Sequence, residues 1–167
     1  MKKWIVAIGM LAGLLTGCSN KHAPSAPSSP DLKVVNSDHP GERLEIESAL
    51  APGKITVCEF FSDQCPPCRE MASALKKLAG LRPDLAIRKF NLDRPQHNGI
   101  DFESPLAVQF QIDTVPCFRI YDEHGKLTAR GSEAKDQVRN WYTQAQAIQR
   151  GQTDPGTRDI MKNYEQH

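Results

Sequence analysis

Apolar residues occur along this chain with two different periods, and the change of period predicts where strands and helices lie. Short runs that alternate or are wholly apolar are typical of strands, whereas apolar residues three and four apart are typical of helices. The predicted strands span residues 44–46, 55–61, 85–92, 117–121 and 126–130. The predicted helices span about residues 66–80, 105–110 and 133–148. Strands that alternate with helices in this order predict one α/β domain.

The beginning of the chain differs from the rest and predicts export. A basic start precedes an apolar run over residues 4–15, which is too short to span a bilayer and indicates a signal peptide over residues 1–17. The run ends in Leu15-Thr16-Gly17-Cys18, which resembles the lipobox of bacterial lipoproteins. That resemblance implies cleavage before Cys18 and acylation of its sulfur and new amino group, with palmitate among the acyl chains. Ordinary cleavage near Gly17, with Cys18 left as a free thiol, is the alternative.

Three further segments follow the signal. Residues 18–40 are rich in proline and serine and predict a disordered tether, because they hold few large apolar side chains that could be buried. Residues 41–150 have the size of one folded domain, and residues 151–167 are polar and predict a loose tail or a short extra helix. The net charge is only +1 and no basic run occurs, so we expect no nucleic-acid partner.

Two cysteines at the start of the first long helix are the main chemical signal. The helix stripe that contains Met71 also contains Cys68, three residues earlier, so we expect Cys68 to be buried. Cys65 precedes the first turn, and we expect it at the exposed helix N-terminus, where free N–H groups and the helix dipole stabilise a thiolate. The pattern predicts that Cys65 attacks a partner's disulfide and that Cys68 resolves the product.

The cysteine pair has two alternative interpretations. Half of a zinc site would need a second set of ligands, and Cys58, Cys117 and His124 do not offer one at ligand spacing. A purely structural disulfide is the second alternative, although a bridge between residues three apart suits exchange better than stapling. We therefore expect no metal and no cofactor, and His97 is predicted to be a surface loop residue.

Three motifs together resemble the thioredoxin superfamily, and in particular the membrane-tethered thioredoxin-like proteins of bacterial envelopes. The resemblance covers about residues 41–148 and implies a thioredoxin-like α/β fold with a central mixed β-sheet flanked by helices. The motifs are Glu59-Phe60-Phe61-Ser62-Asp63-Gln64-Cys65-Pro66-Pro67-Cys68, Arg88-Lys89-Phe90-Asn91-Leu92-Asp93 and Thr114-Val115-Pro116-Cys117-Phe118.

The resemblance also implies roles for residues around the cysteines. Glu59 falls where the family keeps a buried acid that accepts a proton from the resolving cysteine, here Cys68, and Lys89 falls on the lysine that accompanies that acid. The family residue is usually aspartate, so the extra methylene of Glu59 changes its reach. A buried acid would have a raised pKa. An ordinary solvent-side pair on the strand faces is the alternative.

Residues 115 and 116 are expected to form the substrate groove together with Pro66 and Pro67. By resemblance the Val115–Pro116 peptide bond is cis and exposes the Val115 backbone to an extended partner, whereas a trans turn proline is the alternative.

Two further features concern residues next to the pair. Cys58 and Cys117 lie in strands near the site, and they are either buried inert thiols or a second disulfide. Gln64 stands where a tryptophan is common before the first cysteine, so the surface offered to partners should differ.

The resulting hypothesis is a lipid-anchored, periplasm-facing thiol:disulfide oxidoreductase of the bacterial cell envelope with a redox-active Cys65–Cys68 disulfide. It would reduce disulfides of exported cysteine-containing proteins and recover electrons from a membrane thiol reductant. An oxidase or isomerase of the same fold and a non-catalytic envelope assembly lipoprotein are the alternatives. The direction of electron flow and the choice of inner or outer membrane stay open.

Overall fold

A computed structural model describes residues 29–151 of the chain. The predicted signal peptide, Cys18, the first part of the tether and the tail from residue 152 lie outside the described residues. Within the described part no helix is long and apolar enough to cross a membrane. The strands are β1 Leu32–Val34, β2 Ile55–Phe61, β3 Leu85–Asn91, β4 Cys117–Tyr121 and β5 Leu127–Arg130. The α-helices are α1 Pro66–Leu81, α2 Pro105–Phe110 and α3 Gly131–Gln149, and Ile46–Ala49 form a 3₁₀ helix.

The five strands form one mixed sheet, as the resemblance implied. Their order is β1-β3-β2-β4-β5, with β2 at the centre. The pairs β1–β3 and β2–β3 are parallel, whereas β2–β4 and β4–β5 are antiparallel. Since β2 is hydrogen-bonded on both edges and buried on both faces, the loop at its C-terminal end is held rigidly.

Helices cover both faces of the sheet and divide the core in two. On one face, α1 and α3 pack on the odd-numbered residues of β2 and β3; this cluster includes Val57, Leu75, Leu78, Ile87, Phe118 and Val138. On the other face, α2 and the 3₁₀ helix pack on the even-numbered residues; this cluster includes Ile46, Phe60, Phe90, Leu106 and Phe110. The aromatic rings of Phe60 and Phe90 stack with their centroids 5.2 Å apart.

The starts of α1 and α2 agree with the sequence analysis, whereas α3 begins two residues before the predicted start and α1 ends one residue after the predicted end. Ser104 caps α2, because its hydroxyl accepts a hydrogen bond from the N–H of Ala107 at 3.1 Å. The helix α1 does not end at Gly80 but passes through it to Leu81. A glycine inside a helix costs only about 1 kcal/mol relative to alanine, and tertiary packing of the helix outweighs that cost.

The predicted first strand over residues 44–46 is wrong. Residues 46–49 form the 3₁₀ helix, and the first strand is Leu32–Val34, inside the segment predicted as a tether. Leu32 packs against the core cluster that contains Val57 and Ile87, so the ordered chain begins before residue 41. A two-residue alternation is too short to distinguish a strand from a turn, and the neighbouring prolines and serines obscured the alternation around Lys33.

An ion pair fastens this first strand to the domain. The buried Arg88 of β3 donates hydrogen bonds to Asp31 at 2.7 Å and to the carbonyl of Ala49 at 3.0 Å. Lys54 lies 3.1 Å from the other carboxylate oxygen of Asp31. Arg88 and Lys54 hold the pKa of Asp31 below its usual value, with the hydrogen bond from Arg88 as the largest cause.

We predict that Asp31→Asn destabilises the domain by about 2 kcal/mol, because it leaves the guanidinium of Arg88 buried without its anionic partner. The measurement is urea-induced unfolding at pH 7 of soluble protein. Asp38→Asn makes the same change at an exposed position and should alter the free energy of unfolding by less than about 0.5 kcal/mol. Equal effects of the two substitutions would contradict the anchoring role of Asp31.

Candidate active site

The cysteine pair occupies the junction between β2 and α1. Only residues 62–65 separate the last strand residue from Pro66, the first residue of the helix. Cys65 and Cys68 form a disulfide across this helix start, with their Cα atoms 5.3 Å apart. Cys65 is the N-cap residue, and its Sγ accepts a hydrogen bond from the N–H of Cys68 at 3.2 Å. The sulfur therefore takes the place that a serine or aspartate oxygen fills at an ordinary helix start.

Cys68 is buried as predicted, but the predicted exposure of Cys65 is wrong. Both residues are only 1% exposed. They form a small cluster with Phe61, against which Ile100 and Val115 pack. The Sγ of Cys65 also lies 3.7 Å from the carbonyl oxygen of Val115. A helix N-terminus is usually open to solvent, but long-range packing by a loop and a strand end covers this one.

The turn that carries the pair is held by hydrogen bonds to one carboxylate. The hydroxyl of Ser62 donates to Asp93 at 2.7 Å, and the N–H of Asp63 donates to the same oxygen at 3.1 Å. The N–H of Gln64 donates to the Ser62 hydroxyl at 3.0 Å. Sequence reasoning missed this role of Asp93, although the residue closes the second motif of the resemblance.

The residues expected to form the groove lie around the disulfide. Pro66 and Pro67 are exposed at the start of α1, Val115 is half-buried and Pro116 is buried. The Val115–Pro116 peptide bond is cis, as the resemblance implied. The backbone of Val115 therefore lies beside Cys65, where an extended chain could add to it.

Glu59 and Lys89 form a buried pair, so the solvent-side interpretation is wrong. They are register partners on β2 and β3; Glu59 is 0% exposed and Lys89 is 8% exposed. The Lys89 Nζ lies 3.1 Å from Glu59 Oε2 and 4.2 Å from the centroid of the Phe61 ring. Neither carboxylate oxygen accepts a well-directed hydrogen bond from any residue that the structure describes, so the contact with Lys89 is an ion pair without hydrogen-bond geometry.

Burial controls the acidity of this carboxyl group. Loss of water raises the pKa of Glu59 to about 7, against the opposing attraction of Lys89. Glu59 lies on the odd-numbered face of β2 with Val57 and Phe61, which is the face covered by α1, the helix that carries Cys68. The carboxyl group is thus on the correct side of the sheet to exchange a proton with the buried sulfur.

The other two cysteines do not form a second disulfide. Cys58 and Cys117 are both free thiols. Cys58 faces Arg119 across the strands and Cys117 faces Phe60, so the two are diagonal neighbours on the α2 face. Burial raises the pKa of Cys58 to about 12 and also raises that of Cys117. Both are therefore poor nucleophiles at neutral pH.

Residues 29–151 contain no cluster of three or more histidine, cysteine, aspartate or glutamate residues that could hold a metal ion. His97 lies in the loop after β3, where its Nε2 is 3.7 Å from Asp101 and its Nδ1 is 3.2 Å from the carbonyl of Gly99. Its ring contacts the loop itself, and its carbonyl accepts a long hydrogen bond from the Nε2 of Gln64 at 3.5 Å.

The arrangement is suited to exchange of one disulfide for another. The Cys65 sulfur accepts a hydrogen bond from a helix N–H and is bonded to the sulfur of Cys68, and the two Cα atoms lie 5.3 Å apart. A titratable acid shares their side of the sheet. The chain is a thiol:disulfide oxidoreductase. The family model described as Thioredoxin matches residues 42–144, which is more than half of the 167 residues, and the chain belongs to the thioredoxin family.

The chain is also similar to individual proteins. A thioredoxin from Chlamydia pneumoniae is 27% identical over 105 residues, covering 63% of this chain and 87% of that protein. A thioredoxin-like protein from Fusarium culmorum is 30% identical over 90 residues, covering 52% of this chain and 68% of that protein. Among solved structures, the short form of spinach chloroplast thioredoxin f is 26% identical, with a TM-score of 0.48, and the match covers 71% of this chain and 96% of that chain.

We predict that the buried carboxylate costs stability in a pH-dependent manner. The pKa of Glu59 is about 7 in the folded chain against an ordinary value of 4.5, so the folded state binds the proton more tightly than the unfolded state. The contribution of Glu59 to the free energy of unfolding is therefore fully present below pH 4.5 and is lost as the pH rises through 7. The full loss is about 3 kcal/mol.

The measurement compares the free energies of unfolding of wild type and Glu59→Gln between pH 4.5 and pH 8.5. The difference should change by about 3 kcal/mol in favour of the variant as the pH rises. The exposed Glu45→Gln serves as the control and should follow the wild-type curve. A pH-independent difference between wild type and Glu59→Gln would contradict the raised pKa.

Proposed function

We propose that this protein reduces disulfides of exported proteins from a lipid anchor in the bacterial envelope. The oxidoreductase class follows from the family and the cysteine pair, whereas the direction of electron flow rests on one observation, the buried Glu59 with its pKa near 7. A reductase must turn its resolving thiol into a thiolate inside the protein, and a buried acid of this pKa is matched to that task.

The exchange proceeds in two balanced steps. The thiolate of Cys65 attacks one sulfur of the partner's disulfide, the partner's S–S bond breaks, and one partner sulfur leaves as a thiolate that takes a proton from water. Cys68 then gives its proton to the carboxylate of Glu59 and attacks the Cys65 sulfur. This attack restores the Cys65–Cys68 disulfide and releases the second partner thiolate, so two electrons have passed to the partner.

The oxidised protein must recover two electrons before the next cycle. We propose a membrane-bound dithiol as the source, because it can reach a protein that is held at the same surface. The partner's extended chain would lie in the groove of Pro66, Pro67, Val115 and Pro116, with its backbone along Val115.

The location is proposed from the first forty residues. A lipobox-like Leu15-Thr16-Gly17-Cys18 and a proline- and serine-rich segment support a diacylglyceryl and palmitoyl anchor on Cys18, followed by a tether that lets the domain reach several partners. Since β1 begins at Leu32, the tether is shorter than 18–40 and ends before that residue.

Replacing Cys65, Cys68 or Cys117 by serine should give three different effects on disulfide reduction. Cys65→Ser should abolish reduction of insulin disulfides, with a loss of at least about 10³-fold, because no other thiol is activated. Cys68→Ser should still attack and should accumulate a mixed disulfide, visible on a non-reducing gel. Cys117→Ser is the control and should keep wild-type turnover. Full activity of Cys65→Ser would exclude the enzymatic role.

The direction of electron flow is tested by the reduction potential of the Cys65–Cys68 pair, measured in thiol buffers on soluble protein beginning at Ser19. We expect a value near about −270 mV, as for thioredoxin. A value near about −120 mV would contradict the reductase and establish an oxidant that installs disulfides.

The proton step is tested by single-turnover release of the partner from the mixed disulfide. We predict that Glu59→Gln slows this release about 10²-fold at pH 7, with the deficit narrowing at higher pH as hydroxide ionises Cys68 directly. Glu59→Asp should restore most of the rate at pH 7. A deficit that is independent of pH would indicate a structural role for Glu59.

Membrane attachment is tested by Cys18→Ser in an expressing bacterium. The variant should lose incorporation of labelled palmitate and move from the membrane fraction to the soluble periplasmic fraction. Ser19→Ala leaves the acylated residue unchanged and should stay in the membrane fraction. Retention of Cys18→Ser in that fraction would contradict the lipid anchor.

A further inference from the structure

The loop after β3 covers the active disulfide. This loop, residues 94–103, carries Ile100, which packs against the cluster of Phe61, Cys65 and Cys68. Cys65 is 1% exposed in this arrangement. A sulfur that must meet the sulfur of another protein is therefore almost closed to solvent, and Ile100 is part of what closes it.

Gln64 fastens the tip of the loop to the turn that carries Cys65. Its Nε2 donates to the carbonyl of Gly99 at 3.1 Å, and its Oε1 accepts from the N–H of Gly99 at 2.9 Å. One side chain thus forms two reciprocal hydrogen bonds with the backbone of one residue, and that residue immediately precedes Ile100. We call this pair of hydrogen bonds the Gln64–Gly99 latch.

The base of the loop is held separately. The guanidinium of Arg94 donates two hydrogen bonds to the buried carboxylate of Asp101, at 2.6 and 3.1 Å. The N–H of Asp101 donates to Asp93 at 3.2 Å, and Asp93 is bonded to Ser62. Since these contacts do not involve Gln64, loss of the latch should free the tip without releasing the base.

We propose that Gln64 and Ile100 determine which disulfides react with Cys65: the Gln64–Gly99 latch holds Ile100 over the sulfur, so that extended, narrow chains are admitted and bulky partners are excluded. A chain that lies along Val115 approaches the sulfur beside the loop, whereas a compact folded partner must displace Ile100. This inference rests on the exchange activity proposed for Cys65. It assigns specificity to the residue that precedes the first cysteine and to a loop that is tied to it.

The test measures access to Cys65 in the fully reduced Cys68→Ser protein, so that one active-site thiol remains. We compare the rates of alkylation by iodoacetamide and by a maleimide attached to a large polyethylene glycol. The ratio of the two rates cancels any change in the thiolate fraction of Cys65, because that fraction affects both reagents alike. Gln64→Ala should raise the ratio of the alkylation rate with the bulky reagent to the rate with the small reagent about fivefold to tenfold.

A matched control is present elsewhere in the chain. Gln109 forms the same kind of reciprocal pair with the backbone of Leu44, with Nε2 donating at 2.7 Å and Oε1 accepting at 3.2 Å. Gln109→Ala therefore removes two equivalent hydrogen bonds far from the disulfide and should leave the ratio unchanged. Ile100→Ala keeps the latch but removes the cover, and it should raise the ratio as Gln64→Ala does.

The same variants are then compared, with Cys68 intact, in reducing an unfolded peptide disulfide and the disulfide of a small folded protein. Gln64→Ala should increase the relative rate on the folded partner about fivefold. An unchanged ratio of alkylation rates in Gln64→Ala and Ile100→Ala would overturn the proposal. An equal rise of that ratio in Gln109→Ala would also overturn it. If the alkylation ratios change as expected in the Cys68→Ser background, but the protein with Cys68 intact reduces neither disulfide, the proposed exchange activity fails and the access control stands.

Discussion

The site depends on the short connection between β2 and α1. Because four residues separate strand from helix, the Cys65 sulfur falls at the helix N-cap and accepts the N–H of Cys68. Free N–H groups at this end stabilise a negative charge, so the backbone supplies the activation that the chemistry requires. Asp93 holds the connection through Ser62, and the central position of β2 keeps its end from moving.

The buried acid conflicts with stability, and the proton-transfer role proposed for Glu59 would account for that conflict. A hydrophobic residue at position 59 would suit the centre of the sheet better, since an ion pair removed from water rarely recovers its desolvation cost. Within residues 29–151, Lys89 is the only cation that forms an ion pair with this carboxylate, and it also contacts the face of the Phe61 ring. The weak compensation leaves the pKa of Glu59 near 7, which a fully hydrogen-bonded carboxylate would not have.

Sequence patterns predicted those elements whose structure is determined by residues close to them in the chain. The strand 55–61, the helix starts at Pro66 and Pro105 and the burial of Cys68 follow from spacing and capping. The strand at residues 32–34 and the burial of Cys65 could not be predicted in this way, because both are set by residues more than thirty positions away. The resemblance supplied what spacing could not, including the cis bond and the buried position of Glu59.

The two faces of the sheet explain why one thiol reacts while another does not. Cys58 lies in β2, seven residues before Cys65, and its side chain enters the α2 face, where burial raises its pKa to about 12. Cys65 lies beyond the strand end, where helix N–H groups replace the lost water. Both thiols are buried, so exposure does not distinguish them. The dipoles of the N–H groups at the start of α1 distinguish the two thiols. A loop that covers Cys65 can therefore restrict its partners without removing its reactivity.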